Sequence, residues 1–136
     1  MSVAEESRSV ILQWIGYLVN GRLDDFMALG AEGATWWASG LKETSPLTGT
    51  YPYAERGKQF KGVLKDAISF TFEVRGITTE GDTVVVEAAP RIVAQDGRIY
   101  ENDVMMKFVV KDGKIQSVRE YIDFVAILKF TGAKAS

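Results

Sequence analysis

The chain has 136 residues, 46% of them apolar and 25% charged, the proportions of one globular domain built on a single core. It contains neither cysteine nor histidine. That excludes disulfides, thiolate nucleophiles and Cys-ligated zinc, and it leaves proton chemistry near neutral pH to a carboxylate, tyrosine or lysine with a displaced pKa. A formal charge of −2 with no basic stripe gives no reason to expect nucleic acid. The polar start MSVAEESRS and the lack of a long apolar run argue against a membrane segment and for a cytoplasmic protein.

In chain order, Val10, Ile11, Trp14, Ile15 and Leu18 recur at helical spacing, which predicts an amphipathic helix over Val3 to Val19 ended by Asn20-Gly21. A short helix follows with Leu23, Phe26, Met27 and Leu29 apolar, Asp24 and Asp25 in its first turn, and Gly30 closing it. Ala34 to Ser39 (ATWWAS) reads as a short aromatic strand, and Gly40 to Gly49, with Pro46, as a polar loop. A third helix starts near Pro52 or Tyr53 and runs toward Asp66, with Phe60, Val63, Leu64 and Ala67 on one face.

From Ile68 the period changes to two. Phe70, Phe72 and Val74 alternate with Thr71, Glu73 and Arg75, a half-buried strand. Glu80-Gly81-Asp82 turns the chain into a strand from Thr83 to Ala94, where Pro90 argues for an edge position or a bulge. Asp96-Gly97 and Asp112-Gly113 are hairpin turns, since Gly supplies positive φ at little cost. Between and after them, Asn102, Val104, Met106, Phe108 and Val110 share one face, as do Gln116, Val118, Glu120 and Ile122. VMMKFVV is apolar on both faces apart from Lys107, so both of its sides are expected to be covered. The tail from Phe124 to Ser136 carries Ile127, Leu128 and Phe130 and then frays into small polar residues. The whole, residues 1–136, reads as one α+β domain with helices on one face of a curved antiparallel sheet.

The pattern Y-x-N, F-x-V-x-DGKI and REYxD, from Tyr100 to Asp123, resembles the terminal hairpin of SnoaL-like proteins. These lie within the nuclear transport factor 2-like superfamily, which also holds the ketosteroid isomerases. NGRLDDF after the first helix and ATWW extend the likeness over most of the chain. The resemblance implies a cone-shaped, cystatin-like sheet with three N-terminal-side helices on its concave face, and a homodimer joined through the outer sheet face. It also implies an apolar pocket inside the cone, used by polyketide cyclase-like and related enzymes without a cofactor. The isomerase set does not carry over: its tyrosine, base and aspartate fall on Trp14, Ala38 and Val104. Of the epoxide hydrolase set, the Arg and Asp positions fall near Glu87 and Ala89, and only the last carboxylate is matched, by Glu120.

Glu120 is therefore the candidate catalytic group, a carboxyl expected to point into the cone among Val118 and Ile122, where desolvation raises a pKa toward the acid–base range. Its structural alternative is a pairing with Arg91 or Arg119. Glu87 and Arg91 join it if they face inward; if Pro90 turns them out they are surface charges. Asn102 is either a ligand hydrogen-bonding group or a buried amide tying strands together. Trp14, Tyr17, Trp36, Tyr53, Phe60 and Met106 are candidate lining residues, with plain core as the alternative. Asp123, on the face opposite Glu120, is expected at a helix end or the dimer partner. No metal-ligand spacing or dinucleotide fingerprint is present, so neither metal nor cofactor is expected. The expected function is binding of a small apolar or aromatic molecule. It comes either with acid–base chemistry (isomerase, cyclase, dehydratase or epoxide hydrolase type) or as a non-catalytic binding or dimerisation module.

Overall fold

A capping box opens the first helix: the Ser2 hydroxyl accepts from Glu5 N at 3.1 Å, and the Glu5 carboxylate accepts from Ser2 N at 3.3 Å. Helix α1 spans Val3–Val19 and buries Val10, Ile11, Trp14 and Leu18, and Gly21 beyond its end adopts φ +71°. The computed structural model describes residues 1–40, 45 and 48–132. The polar loop expected over 40–49 lies largely outside the described residues, as does the end of the tail, 133–136.

Helix α2 is Leu23–Ala28, strand β1 is Gly30–Ala38, strand β2 is Gly49–Pro52, and helix α3 is Tyr53–Lys65. The remaining strands are β3 (Ala67–Glu80), β4 (Thr83–Ala94), β5 (Ile99–Glu101), β6 (Val104–Lys111) and β7 (Lys114–Tyr121), followed by helix α4, Phe124–Thr131. The sheet order is β2-β1-β7-β6-β4-β3, with β5 beside β4. Among the described residues no helix is long and apolar enough to cross a membrane.

The structure departs from the sequence reading in several places: β1 begins at Gly30 rather than Ala34, β2 (Gly49–Pro52) is an added strand, Ala67 opens β3 rather than ending a helix, and three further differences bear on the site. The sheet is mixed, because β1 runs parallel to β7, with Trp36 opposite Val118 and Ala38 opposite Glu120. The tail is helical through Thr131. Asp123 caps α4 by accepting from Val125 N at 3.0 Å, and Gly132 closes it at φ +70°. Strand β4 lies inside the sheet, with no edge exposed by Pro90. The proline falls where β4 changes partner, from β6 (through Ala88 opposite Val104) to β5 (from Arg91 opposite Glu101), so its missing N–H breaks no ladder.

One core fills the concave side. Trp14 packs against Phe108, Phe26, Trp36 and Phe72, with ring centroids 4.9, 5.1, 6.2 and 6.2 Å away. A smaller cluster joins Ile92 and Tyr100 to Phe130 of α4. Arg98 pins that helix, donating to the Phe130 carbonyl at 2.6 Å and lying 5.1 Å over its ring.

Candidate functional site

Between these two clusters, on the concave side, lies a cavity of about 150 Å³. It opens beside Glu120 because the residue facing that carboxyl on β1 is only an alanine, Ala38. Strands contribute Trp36, Ala38, Ile92, Tyr100 and Glu120; α3 contributes Arg56, Gln59, Phe60 and Val63; and α4 closes one end with Ile127, Phe130 and Thr131. Apart from Glu120, Arg56, Gln59 and the hydroxyl-bearing side chains, the walls are hydrocarbon or aromatic.

The Trp36 indole donates to Glu120 Oε1 at 3.2 Å, fixing one carboxyl oxygen. Burial pushes the Glu120 carboxyl above the ordinary glutamate range; the Trp36 hydrogen bond and the Arg56 charge act in the opposite sense and are outweighed. Tyr100 is likewise raised, first by burial and then by the Glu120 charge, so its phenol stays neutral. Arg56 is pulled below its ordinary value by burial, against the opposing charges of Glu120, Tyr51 and Glu55. Its Nη1 donates to Gln59 Oε1 at 3.2 Å, and its guanidinium lies 4.4 Å over the Tyr51 ring. Nε and Nη2 of Arg56 are buried with no hydrogen-bond partner. Among the described residues, no ion pair joins Arg56 to a carboxylate.

The candidate residues are distributed unevenly. Glu120, Trp36 and Phe60 line the cavity together. Trp14 and Met106 are core residues, 1% and 2% exposed, with no face on it. Tyr53 is also interior: its hydroxyl accepts from Trp14 Nε1 at 3.2 Å and donates to the Phe26 carbonyl at 3.0 Å. Tyr17 is half-buried under Arg22, whose guanidinium sits 4.8 Å from its ring centroid.

Glu87 and Arg91 point away from the cone. Val84, Val86, Ala88, Pro90 and Ile92 are buried in uninterrupted alternation, so 87 and 91 share the outer face, where Arg91 pairs with Glu101 at 2.9 Å. Asn102 is a tie between segments. Its Nδ2 donates to Tyr100 Oη and the Asp123 carbonyl at 2.8 and 3.1 Å, while its Oδ1 accepts from Asp103 N and Asp123 N at 2.9 and 3.1 Å. All four contacts are within the chain, which leaves little capacity for a ligand.

Arg56, Tyr100 and the α4 residues were not among the sequence candidates. Arg56 carried a readable signal: it precedes Phe60 and Val63 by four and seven positions, a charge placed on the apolar stripe of α3. Among the described residues, no group of three or more Asp or Glu is placed to hold a metal ion.

Comparison with known proteins places this geometry. The model of the SnoaL-like domain matches residues 11–118. The chain belongs to the SnoaL-like family. It is 30% identical over 103 residues to UPF0523 protein C of Dictyostelium discoideum, covering 74% of this chain and 66% of that protein, so it spans just under two thirds of that relative's length. An LEH-like epoxide hydrolase of M. tuberculosis superposes with a TM-score of 0.73 at 17% identity, over 96% of this chain and 95% of that one. A putative isomerase of Bacillus subtilis gives 0.76 at 17% identity, over 97% and 96%. These similarities establish a shared nuclear transport factor 2-like fold, one that hosts different chemistries.

Proposed function

We propose that this SnoaL-like chain binds a small, largely apolar molecule in the Glu120 cavity and moves a proton on it without a cofactor. One observation carries the reading: a carboxyl desolvated by hydrocarbon walls, with one oxygen held by an indole N–H. Desolvation holds the proton on Glu120 to higher pH than on an ordinary glutamate, and Trp36 holds the carboxyl in one orientation toward whatever fills the space above Ala38. When Glu120 gives up its proton, the Trp36 N–H and the nearby Arg56 charge stabilise the carboxylate. When it takes one back, the reaction class is isomerisation, cyclisation or dehydration; with water as nucleophile it is epoxide opening. The structural neighbours described as an epoxide hydrolase and a putative isomerase fall in those classes.

The test is solvent-exchange NMR. Cyclic ketones and epoxides of single-ring size are incubated in D2O with wild type and with Glu120→Gln, whose amide oxygen still accepts from Trp36. Deuterium incorporation or ring opening by wild type, abolished in a variant that melts at no lower temperature than wild type, is expected. Equal turnover in both would remove Glu120 from the chemistry. The non-catalytic binding reading, favoured by Trp14, Ala38 and Val104 at the isomerase positions, would then stand.

We also propose a homodimer through the outer sheet face. Met105 and Tyr121 are 45% and 48% exposed there, beside a Trp37–Tyr121 ring pair at 5.0 Å. Sedimentation equilibrium is expected to give a dimer that Met105→Glu dissociates; a wild-type monomer would contradict it.

A further inference from the structure

Among the described residues, Arg56 is the side chain with two buried donors left without an acceptor. A guanidinium offers five N–H donors, yet Nε and Nη2 are both buried without an acceptor. Its one hydrogen bond runs to the neutral amide oxygen of Gln59, and Gln59 itself is exposed at the surface. The residue is half-buried, and two buried guanidinium nitrogens left without an acceptor carry a desolvation cost that a bound acceptor would relieve. Among the described residues, the carboxyl that shares the cavity with it is Glu120, which burial pushes above the ordinary glutamate range.

We infer that the molecule held here is a monoanionic carboxylate of single-ring size, its carboxylate on Arg56 and its ring against Phe60, Ile92 and Phe130. The inference rests on the reading of this cavity as the ligand site and names the ligand's chemistry. The size follows from the volume: about 150 Å³ matches the engineered apolar cavity that takes up one benzene molecule. The charge follows from the idle donors, because a carboxylate is the acceptor that fits a guanidinium fork with two parallel hydrogen bonds. The position is adjustable, since the Gln59 contact that restrains the guanidinium is a single neutral bond at 3.2 Å.

The experiment uses two probes of equal size, benzoate and benzyl alcohol, titrated by calorimetry at pH 7. The proteins are wild type, Arg56→Met and Arg56→Lys. Wild type is expected to prefer benzoate by about tenfold to a hundredfold, the worth of a charge-assisted hydrogen-bonded pair. Arg56→Met should lose that preference while still binding benzyl alcohol, which shows that the cavity remains folded. Arg56→Lys should recover part of it. Equal binding of the two probes by wild type, or a benzoate preference that survives Arg56→Met, would overturn the assignment and leave the cavity as a ligand site. If neither probe binds wild type, both the assignment and the ligand-site reading fall.

Discussion

Tyr53→Phe separates a structural strut from a ligand contact. The Tyr53 hydroxyl sits between Trp14 Nε1 at 3.2 Å and the Phe26 carbonyl at 3.0 Å, and Trp14 is only 1% exposed. Removing the oxygen leaves a buried indole N–H without an acceptor. The Phe26 carbonyl keeps a contact from Leu29 N at 3.4 Å, so it is only partly deprived. One orphaned buried donor costs about 1–3 kcal/mol, and about 2 kcal/mol is taken here. For 136 residues at about 2.1 cal/mol/K each, the unfolding entropy is about 0.29 kcal/mol/K, so the melting temperature falls by about 7 °C. Urea unfolding followed by tryptophan fluorescence should show a lower midpoint at unchanged slope. Burial pushes the phenol up to about 12. The deficit is therefore full below the free tyrosine value of about 10 and shrinks as pH rises from there toward 12, where wild type loses the same proton. Because Tyr53 does not line the cavity, proton exchange and benzoate binding should survive the substitution. An unchanged midpoint, or lost binding at unchanged stability, would refute this assignment.

Two glycines contrast rigid with yielding neighbours. A Cβ on Gly30 would lie 2.3 Å from Tyr53 Cδ1, on a ring pinned by both hydrogen bonds, and Gly30→Ala is expected to cost about 3 kcal/mol by thermal melting. On Gly57 it would lie 2.1 Å from Met27 Sδ, a flexible side chain, and alanine gains about 1 kcal/mol of helix propensity, so Gly57→Ala should stay within about 1 kcal/mol of wild type. Asn102→Ala strips four hydrogen bonds and should lower stability by about 2–4 kcal/mol in urea titration. Glu120→Gln tests linkage. Folding raises the Glu120 pKa, so the folded state binds the proton more tightly, and wild-type stability falls as pH rises from 4.5 through the raised value. Urea midpoints at pH 5 and pH 8 should show that decline in wild type and a flatter response in the variant.

Much of the fold was legible because its signals are local. The period of α1, the Asp-Gly turns and the alternation from Val104 to Ile122 each follow from one segment and placed Glu120 on the inner face. The parallel pairing of β1 with β7 was not legible, since it depends on contacts across more than eighty positions. Helix α4 was legible and passed over: Asp123 as cap and Gly132 as stop bracket VAILKF, and that helix closes the cavity. Arg56 was legible only as a charge on the apolar stripe of α3; its place beside Glu120 depends on how α3 packs over the sheet, which no single segment shows. Trp14, Tyr53 and Met106 share the composition of a ligand pocket, and only side-chain packing assigns them to the core. The facing of Glu87 and Arg91 turned on whether Pro90 interrupts the alternation. It does not, because it falls where β4 exchanges β6 for β5.

The most direct measurement is the ionisation of Glu120 itself. Protein labelled with ¹³C at glutamate side-chain carboxyls is titrated by NMR, and the Glu120 resonance is assigned by its loss in Glu120→Gln. A midpoint clearly above the ordinary glutamate value of 4.5 is the expected result, with the midpoint rising further in Trp36→Phe, where the indole donor is gone. A midpoint at or below 4.5 would mean a solvated or ion-paired carboxylate, and Glu120 would then have no claim to be the proton-transferring group.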